Sequence, residues 1–279
     1  MKKACVVGWP VEHSRSPLIH RYWLRVHGIA GSYTAEAVPP DSLGEFLKSL
    51  GQRGCSGCNV TLPHKEAAFA AAAERDASAV AVGAANTLWL EAGRLCAANT
   101  DTYGFMTYLT QTVPDWASAD RPVAIFGAGG AARAIVHGFL EAGVEEIRLF
   151  NRTRERAERL ARAFGNRRGR IKVLDFPTGG GAAADACVVV NTTSLGMNGI
   201  GCLDLDLAQF DDRTVVADTV YVPLETALLR SARLDGLRAV DGLGMLLHQA
   251  VPGFEKWFGI RPEVTDELRS LVAADIEGR

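Results

Sequence analysis

The feature that most constrains this chain lies near its middle. The apolar run Val123-Ala124-Ile125-Phe126 passes directly into Gly127-Ala128-Gly129-Gly130-Ala131-Ala132, and helical sequence follows. Consecutive apolar residues suit a parallel strand that is covered on both faces. The spacing G-x-G-x-x-A is one form of the dinucleotide-binding turn. Gly127 allows the tight passage from strand to helix, Gly129 lets a pyrophosphate approach the backbone, and Ala132 lets the helix pack close to the sheet. Free N–H groups and the positive end of the helix dipole then face the phosphates. Gly127, Ala128, Gly129, Gly130 and Ala131 are therefore the candidate cofactor-binding positions of this turn.

The context strengthens a motif that is weak alone. A second strand is expected at 147–150, and it ends in Asn151-Arg152-Thr153, with Arg154 and Arg156 close behind. A site for NAD usually carries Asp or Glu at this strand end, to bind the ribose hydroxyls. None stands here. A guanidinium matches a phosphate in both charge and fork geometry. The expected cofactor is therefore NADP, with Asn151, Arg152, Thr153 and Arg156 around its adenosine end. Arg154 reads as a solvated helix charge.

Elsewhere short β-branched runs alternate with helical stretches, which argues for an α/β fold. Strands are expected at 5–7, 33–38, 58–60, 87–90, 94–97, 187–190 and 214–217. Helices are expected from Pro17, at 42–50, 67–73, 103–111, 154–164 and 243–258. Residues 113–122 hold two prolines and two aspartates without periodicity, and read as a surface connection and a candidate domain boundary. The Arg167-Arg168-Gly169-Arg170 and Gly179-Gly180-Gly181 segments read as solvated loops.

At 279 residues the chain has room for two domains, at roughly 150 residues each. Thirty basic against thirty-two acidic residues give a formal charge of −2. A chain built to coat nucleic acid or an anionic membrane is usually more basic, so neither partner is expected. No apolar stretch is long enough for a transmembrane helix. The opening residues read as a first strand rather than a signal peptide, because Pro10, Glu12 and His13 end the apolar run. The expected compartment is the cytoplasm. Six cysteines are too sparse for a disulfide scaffold. Cys55 and Cys58 form one C-x-x-C, but no second ligand pair stands at zinc spacing, and no metal site is expected.

Polar residues crowd the strand ends of the N-terminal part: His13-Ser14-Arg15-Ser16-Pro17, Asn59-Val60-Thr61-Leu62-Pro63-His64-Lys65, Ala85-Asn86-Thr87 and Asn99-Thr100-Asp101. Loops at strand C-termini are where open α/β sheets put ligands. Taken with Gly8-Trp9-Pro10-Val11-Glu12, Gly83-Ala84, the turn at 127–133, Asn151-Arg152-Thr153, Asn191-Thr192-Thr193-Ser194-Leu195-Gly196-Met197, residues 218–223 and Asp241-Gly242-Leu243-Gly244-Met245 through Gln249, these strings resemble the shikimate dehydrogenases. They occur in that family's order and span nearly the whole chain.

The resemblance implies a reversible, NADPH-dependent reduction of 3-dehydroshikimate to shikimate, a step towards chorismate and the aromatic amino acids. It implies two lobes: a substrate-binding domain of residues 1–101 plus 241–279, and a Rossmann-like NADP-binding domain of residues 102–240, with the active site in the cleft. By the same resemblance Lys65 and Asp101 do the proton chemistry. Ser14, Ser16, Thr61, Asn86, Tyr221 and Gln249 hold the substrate, and Thr219 and Gly242 lie near the nicotinamide. The partner expected is the small-molecule substrate, with the protein a monomer or homodimer. Two departures stand out. Ala97-Ala98 precedes Asn99 where the family more often has a glycine, and Thr219 stands where many relatives have a bulkier apolar residue.

The residue chemistry agrees with those roles. Hydride transfer to a ketone builds negative charge on its oxygen, and an adjacent donor both stabilises that charge and supplies the proton. Lys65 can donate as an ammonium, and Asp101 can hold it in place. Sequence leaves open which of the pair transfers the proton. His13 and His64 are expected to orient loops or face solvent. The alternatives are a quinate or aminoshikimate dehydrogenase, and a ligand-sensing relative without catalysis. The first is disfavoured by the Asn151-Arg152-Thr153 strand end and the second by the presence of both Lys65 and Asp101.

Overall fold

The computed structural model describes residues 2–118, 120–165, 170–176 and 181–279. Arg167, Arg168, Gly169, Gly179 and Gly180 of the two expected loops lie outside the described residues. The chain divides into two compact units. One comprises Met1–Gly104 and Leu247–Val272, the other Phe105–Leu246 and Ala273–Arg279. The expected divisions at 101/102 and 240/241 are functional ones; by packing, residues 241–246 and the last seven residues go with the second unit.

The first unit is built on β1 (Lys2–Gly8), β2 (Gly31–Ala37), β3 (Cys55–Val60), β4 (Glu74–Arg75), β5 (Thr87–Glu91) and β6 (Arg94–Ala98). Their order across the sheet is β2-β1-β3-β5-β6-β4. The β1 strand pairs in parallel with β2 and β3, whereas β3–β5 and β5–β6 are antiparallel. Helices α1 (Ser16–Val26), α2 (Leu43–Ser49), α3 (Lys65–Ala71) and α4 (Ala77–Val82) connect the strands. Pro17 sits in the first turn of α1, where its missing N–H costs no hydrogen bond. Asp76 caps α4 by accepting from the Ala79 N–H at 2.9 Å, and Gly83 ends it in the left-handed region.

The second unit holds β7 (Val123–Phe126), β8 (Glu146–Phe150), β9 (Arg170–Leu174), β10 (Val188–Asn191), β11 (Val215–Asp218) and β12 (Arg238–Val240). All their pairings are parallel, in the order β12-β11-β10-β7-β8-β9. This is the doubly wound order 3-2-1-4-5-6 read from the other edge. Helices α5 (Asp101–Thr112), α6 (Gly130–Glu141), α7 (Arg154–Ala163), α8 (Ala227–Leu234), α9 (Gly242–Phe258) and α10 (Asp266–Ile276) complete the chain. The β7 and β10 strands are buried along their whole length, as the continuous apolar runs required.

Residues 113–122 are no boundary, since both sides lie in the second unit. Val113 and Trp116 are buried there, and Trp116 packs edge-on to Phe139 with ring centroids 5.4 Å apart. Two apolar anchors are too few to create a period, which is why the segment reads as a loop.

In the first unit the end of α9 is fastened to the sheet. The Trp257 indole N–H donates to the Leu88 carbonyl at 2.9 Å. A Cβ at Gly57 would stand 2.1 Å from both that oxygen and the indole nitrogen. Gly57→Ala should therefore lower the unfolding free energy by roughly 2–3 kcal/mol, the scale of core overpacking. Urea titration followed by tryptophan fluorescence measures it, and an unchanged midpoint would contradict this packing.

Candidate active site

The ends of β3, β5 and β6 bring the expected polar residues together. Lys65 begins α3, directly after the turn that closes β3, and Asp101 begins α5. Lys65 Nζ donates to Asp101 Oδ2 at 2.7 Å, with side-chain exposures of 27% and 12%. The other carboxylate oxygen, Oδ1, accepts from Asn86 Nδ2 at 2.8 Å. Asp101 N–H is bound by Asn99 Oδ1 at 3.0 Å, so the backbone beneath the carboxylate is also fixed.

This cluster has a buried support. Tyr33 donates its phenol proton to Asn59 Oδ1 at 2.6 Å, and Asn59 Nδ2 donates to the Asn86 carbonyl at 3.1 Å. Asn59, Asn86, Thr87, Asn99 and Thr100 are all buried. Sequence reading named the strings that contain them but assigned a role only to Asn86. Polar residues at buried strand ends were the available signal.

The other expected substrate residues are placed as follows. Ser14 and Ser16 stand at the start of α1, the first half-buried and the second buried. Neither caps the helix through its side chain, although Ser14 Oγ accepts from the Ser16 N–H at 3.4 Å. Thr61 follows β3, and its N–H donates to the Val7 carbonyl at 2.9 Å. Gln249 lies on α9 in the part belonging to the first unit, whereas Tyr221 lies in the second.

The histidines separate clearly. His13 is exposed. His64 is buried with its Nε2 2.7 Å from the Val38 carbonyl, and so ties the loop after β3 to the end of β2. Burial pushes His20 down to about 3 and also lowers His248. Among the described residues no group of three or more His, Cys, Asp or Glu side chains could hold a metal ion. Cys58 lies beside Cys5 in the β1–β3 register. The Cys55 thiol is pushed up by the adjacent Cys5 thiol and by burial, which disfavours the reactive thiolate.

In the second unit the glycine turn lies at the switch point between β7 and β10. Gly127 has φ +115°, and a Cβ there would stand 2.4 Å from Thr192 Oγ1. Glycine is thus required twice over, by conformation and by contact. Ala132 is fully buried under the sheet. Gly129 and Gly130, by contrast, are exposed, and a Cβ on either would meet nothing within 4 Å. The start of α6 therefore opens onto free space, with Ala128 and Ala131 half-buried beside it.

The end of β8 carries Asn151, whose side chain donates to the Thr153 carbonyl at 2.7 Å. Thr153 precedes α7 without capping it through its side chain. The Arg152 and Arg156 side chains are exposed and have no hydrogen bond or ion pair among the described residues. Arg154 is already engaged with Asp175 at 2.7 Å and Glu158 at 3.1 Å. The open helix start and the unengaged guanidiniums fit a dinucleotide carrying an extra phosphate.

At the far side of the same sheet, Gly242 packs so tightly on Thr219 that a Cβ would stand 2.5 Å from the Thr219 carbonyl oxygen. The Thr219 hydroxyl donates to the Asn191 carbonyl at 3.0 Å, so it is satisfied within the strand ends. Beneath it Asp218 is buried and accepts from Asn191 Nδ2, the Val220 N–H and the Thr226 hydroxyl at 2.9, 3.0 and 2.7 Å.

A doubly wound parallel sheet with a glycine turn at its switch point defines a dinucleotide-binding protein. The family model for the shikimate dehydrogenase substrate binding domain matches residues 6–88, that for shikimate / quinate 5-dehydrogenase matches 109–197, and that for the shikimate 5'-dehydrogenase C-terminal domain matches 242–266. The shikimate dehydrogenase (NADP(+)) of Azorhizobium caulinodans is 52% identical over 279 residues, covering 100% of this chain and 98% of its own. That of Rhodopseudomonas palustris is 54% identical over 273 residues, 98% and 95% of the two chains. The crystal structure of Thermus thermophilus shikimate 5-dehydrogenase in complex with NADP(H) and shikimate aligns with a TM-score of 0.82 at 33% identity, covering 100% of this chain and 99% of that one. The chain belongs to the shikimate dehydrogenase family of oxidoreductases.

Burial raises the Asp218 carboxyl from its ordinary 3.8 to about 6, against the pull of its three donors. A carboxyl raised in the folded state holds its proton more tightly there than in the unfolded chain. Its contribution to stability is complete below pH 4 and is lost as the pH rises through 6. The stability of the wild type relative to Asp218→Asn should therefore fall by roughly 2–3 kcal/mol between pH 4 and 7. Urea unfolding of both proteins across that range checks it, and a constant difference would exclude the shift.

Proposed function

We propose that the protein catalyses the NADPH-dependent, reversible reduction of 3-dehydroshikimate to shikimate, as a step towards chorismate and the aromatic amino acids. Within this family, the observation that carries the reading is the 2.7 Å contact between Lys65 and Asp101 at the meeting of three strand ends. We further assign residues 1–101 plus 241–279 to substrate binding and 102–240 to NADP binding. The cytoplasm is the proposed compartment, since six unpaired cysteines suit reducing surroundings. No described helix is long and apolar enough to cross a membrane.

Gly127, Ala128, Gly129, Gly130 and Ala131 hold the pyrophosphate at the start of α6, and Asn151, Arg152, Thr153 and Arg156 hold the adenosine phosphate. Thr219 and Gly242 border the nicotinamide. Bound NADPH supplies the hydride. Lys65 spends one of its three N–H donors on Asp101 Oδ2. The ammonium donates another to the substrate's carbonyl oxygen, neutralising the alkoxide as it forms. In the oxidation direction the amine takes the hydroxyl proton back. Asp101 keeps Lys65 in place and accepts from a neighbouring substrate hydroxyl. Asn86 has one N–H left after bonding Asp101, which serves the same ring. Ser14 and Ser16 receive the carboxylate at the start of α1, while Thr61, Tyr221 and Gln249 complete the hold.

Quinate as the principal substrate is less well supported. The β8 end lacks the carboxylate that an NAD site would use for its ribose hydroxyls, and its relatives at 52–54% identity are named for shikimate and NADP(+).

Two measurements test the reading. Lys65→Ala should lower kcat for shikimate oxidation by about 10²–10⁴-fold, the usual weight of an acid–base group, with a far smaller change in KM. A variant that keeps near-normal kcat would remove Lys65 from the chemistry. Arg152→Ala should weaken NADP binding about tenfold or more, as loss of a charged hydrogen bond does, and leave NAD binding nearly unchanged. Calorimetric titration of both cofactors decides this; equal losses for the two would show that Arg152 does not read the phosphate.

A further inference from the structure

The carboxamide of Asn86 faces two ways. Its nitrogen donates to Asp101, and its oxygen receives three donors from behind. These are the Thr100 N–H at 2.8 Å, the Thr100 hydroxyl at 3.1 Å and the Thr87 hydroxyl at 3.0 Å. The two hydroxyls come from different places in the chain. Thr87 opens β5 and Thr100 lies between β6 and α5, yet their oxygens are 3.3 Å apart. We propose that Thr87 and Thr100 are positioning residues: together their hydroxyls hold the plane of the Asn86 amide so that its N–H meets Asp101, and thereby fix where the Asp101–Lys65 pair stands. The inference rests on the dehydrogenase reading given above.

Asparagine does not choose this plane for itself, because its terminal torsion is broad and nearly two-fold. An amide oxygen has two lone pairs, so three donors over-determine its direction. The donors are themselves held. Asn59 Nδ2 donates to Thr87 Oγ1 at 3.3 Å, which leaves the Thr87 proton for Asn86. Asn59 is oriented in turn by the Tyr33 phenol. Every member is buried, and in such surroundings a misdirected amide leaves costly unpaired groups.

Without the two hydroxyls a single backbone N–H would remain on the oxygen. The amide could then rotate about that one contact and carry its nitrogen off Asp101 Oδ1. Asp101 would lose one of its two side-chain partners, and Lys65 would follow it. Displacements of this size near reacting groups are costly, because the rate depends on alignment.

The test compares Thr87→Val/Thr100→Val, which removes both hydroxyls at nearly constant volume, with Thr87→Ser/Thr100→Ser, which keeps them and removes only methyl groups. Shikimate oxidation with NADP is followed in both and in the wild type. The valine pair should lose about tenfold or more in kcat, with KM for NADP within about twofold, and the serine pair should return to within about threefold of wild type. A valine pair with wild-type kcat, or a serine pair as slow as the valine pair, overturns the proposal. Melting curves accompany the kinetics. Should the valine pair fail to fold, Thr100→Val against Thr100→Ser is judged by the same criteria. A wild-type protein that does not oxidise shikimate overturns the functional reading and this inference together, whereas an active wild type with an unimpaired valine pair overturns this inference alone.

Discussion

A carboxylate withdrawn from water needs donors on both oxygens, and much of the first unit is arranged around supplying them to Asp101. One oxygen takes the Lys65 ammonium and the other the Asn86 amide. Each donor comes from a different element, so the contact exists only when β3, β5, β6 and the start of α5 are in register. Burying a lone charge is expensive, and pairing with added hydrogen bonds offsets that cost. The arrangement thus links folding to chemistry. The same contacts that make the buried carboxylate tolerable also leave Lys65 and Asn86 with spare N–H groups beside each other.

The second unit depends on closeness rather than charge. Parallel strands β7 and β10 lie side by side, and the turn after β7 passes Thr192 with no room for a side chain at Gly127. A similar approach joins Gly242 to the Thr219 backbone. Glycines at these points are demanded by neighbouring backbone. Gly129 and Gly130 face open space, where the missing side chains leave room for a ligand. The four positions share a residue type and differ in physical role.

Legibility in the sequence was partial, and β9, α8 and α10 were not expected at all. The apolar β7 and β10 and the amphipathic α9 were readable because burial imposes their period. The two-residue β4, the three-residue β12 and the six-residue α4 were not, since so few residues carry no period and only pairing or capping selects them. Residues 113–122 were misread for a related reason. Val113 and Trp116 reach the core, and two such anchors among prolines and aspartates look like a connection. Among the arginines behind β8, local sequence could not show that Arg154 is taken by Asp175, twenty-one residues away, while Arg152 remains available.

The sequence by itself determined the fold class, the phosphate-binding turn, the family and the chemical identities of the reacting groups. Each of these is written locally, in a strand feeding a glycine turn or in a short ordered string. Only the tertiary structure decided which groups face one another. Lys65 and Asp101 are separated by thirty-six residues yet meet at 2.7 Å. Thr87 and Thr100 converge on the same amide oxygen from the two sides of the open end of the β5–β6 hairpin. The direction of a side chain at a strand end depends on which strands pair and in what register. That choice is made by burial and hydrogen bonding across the sheet, where residues distant in sequence become neighbours.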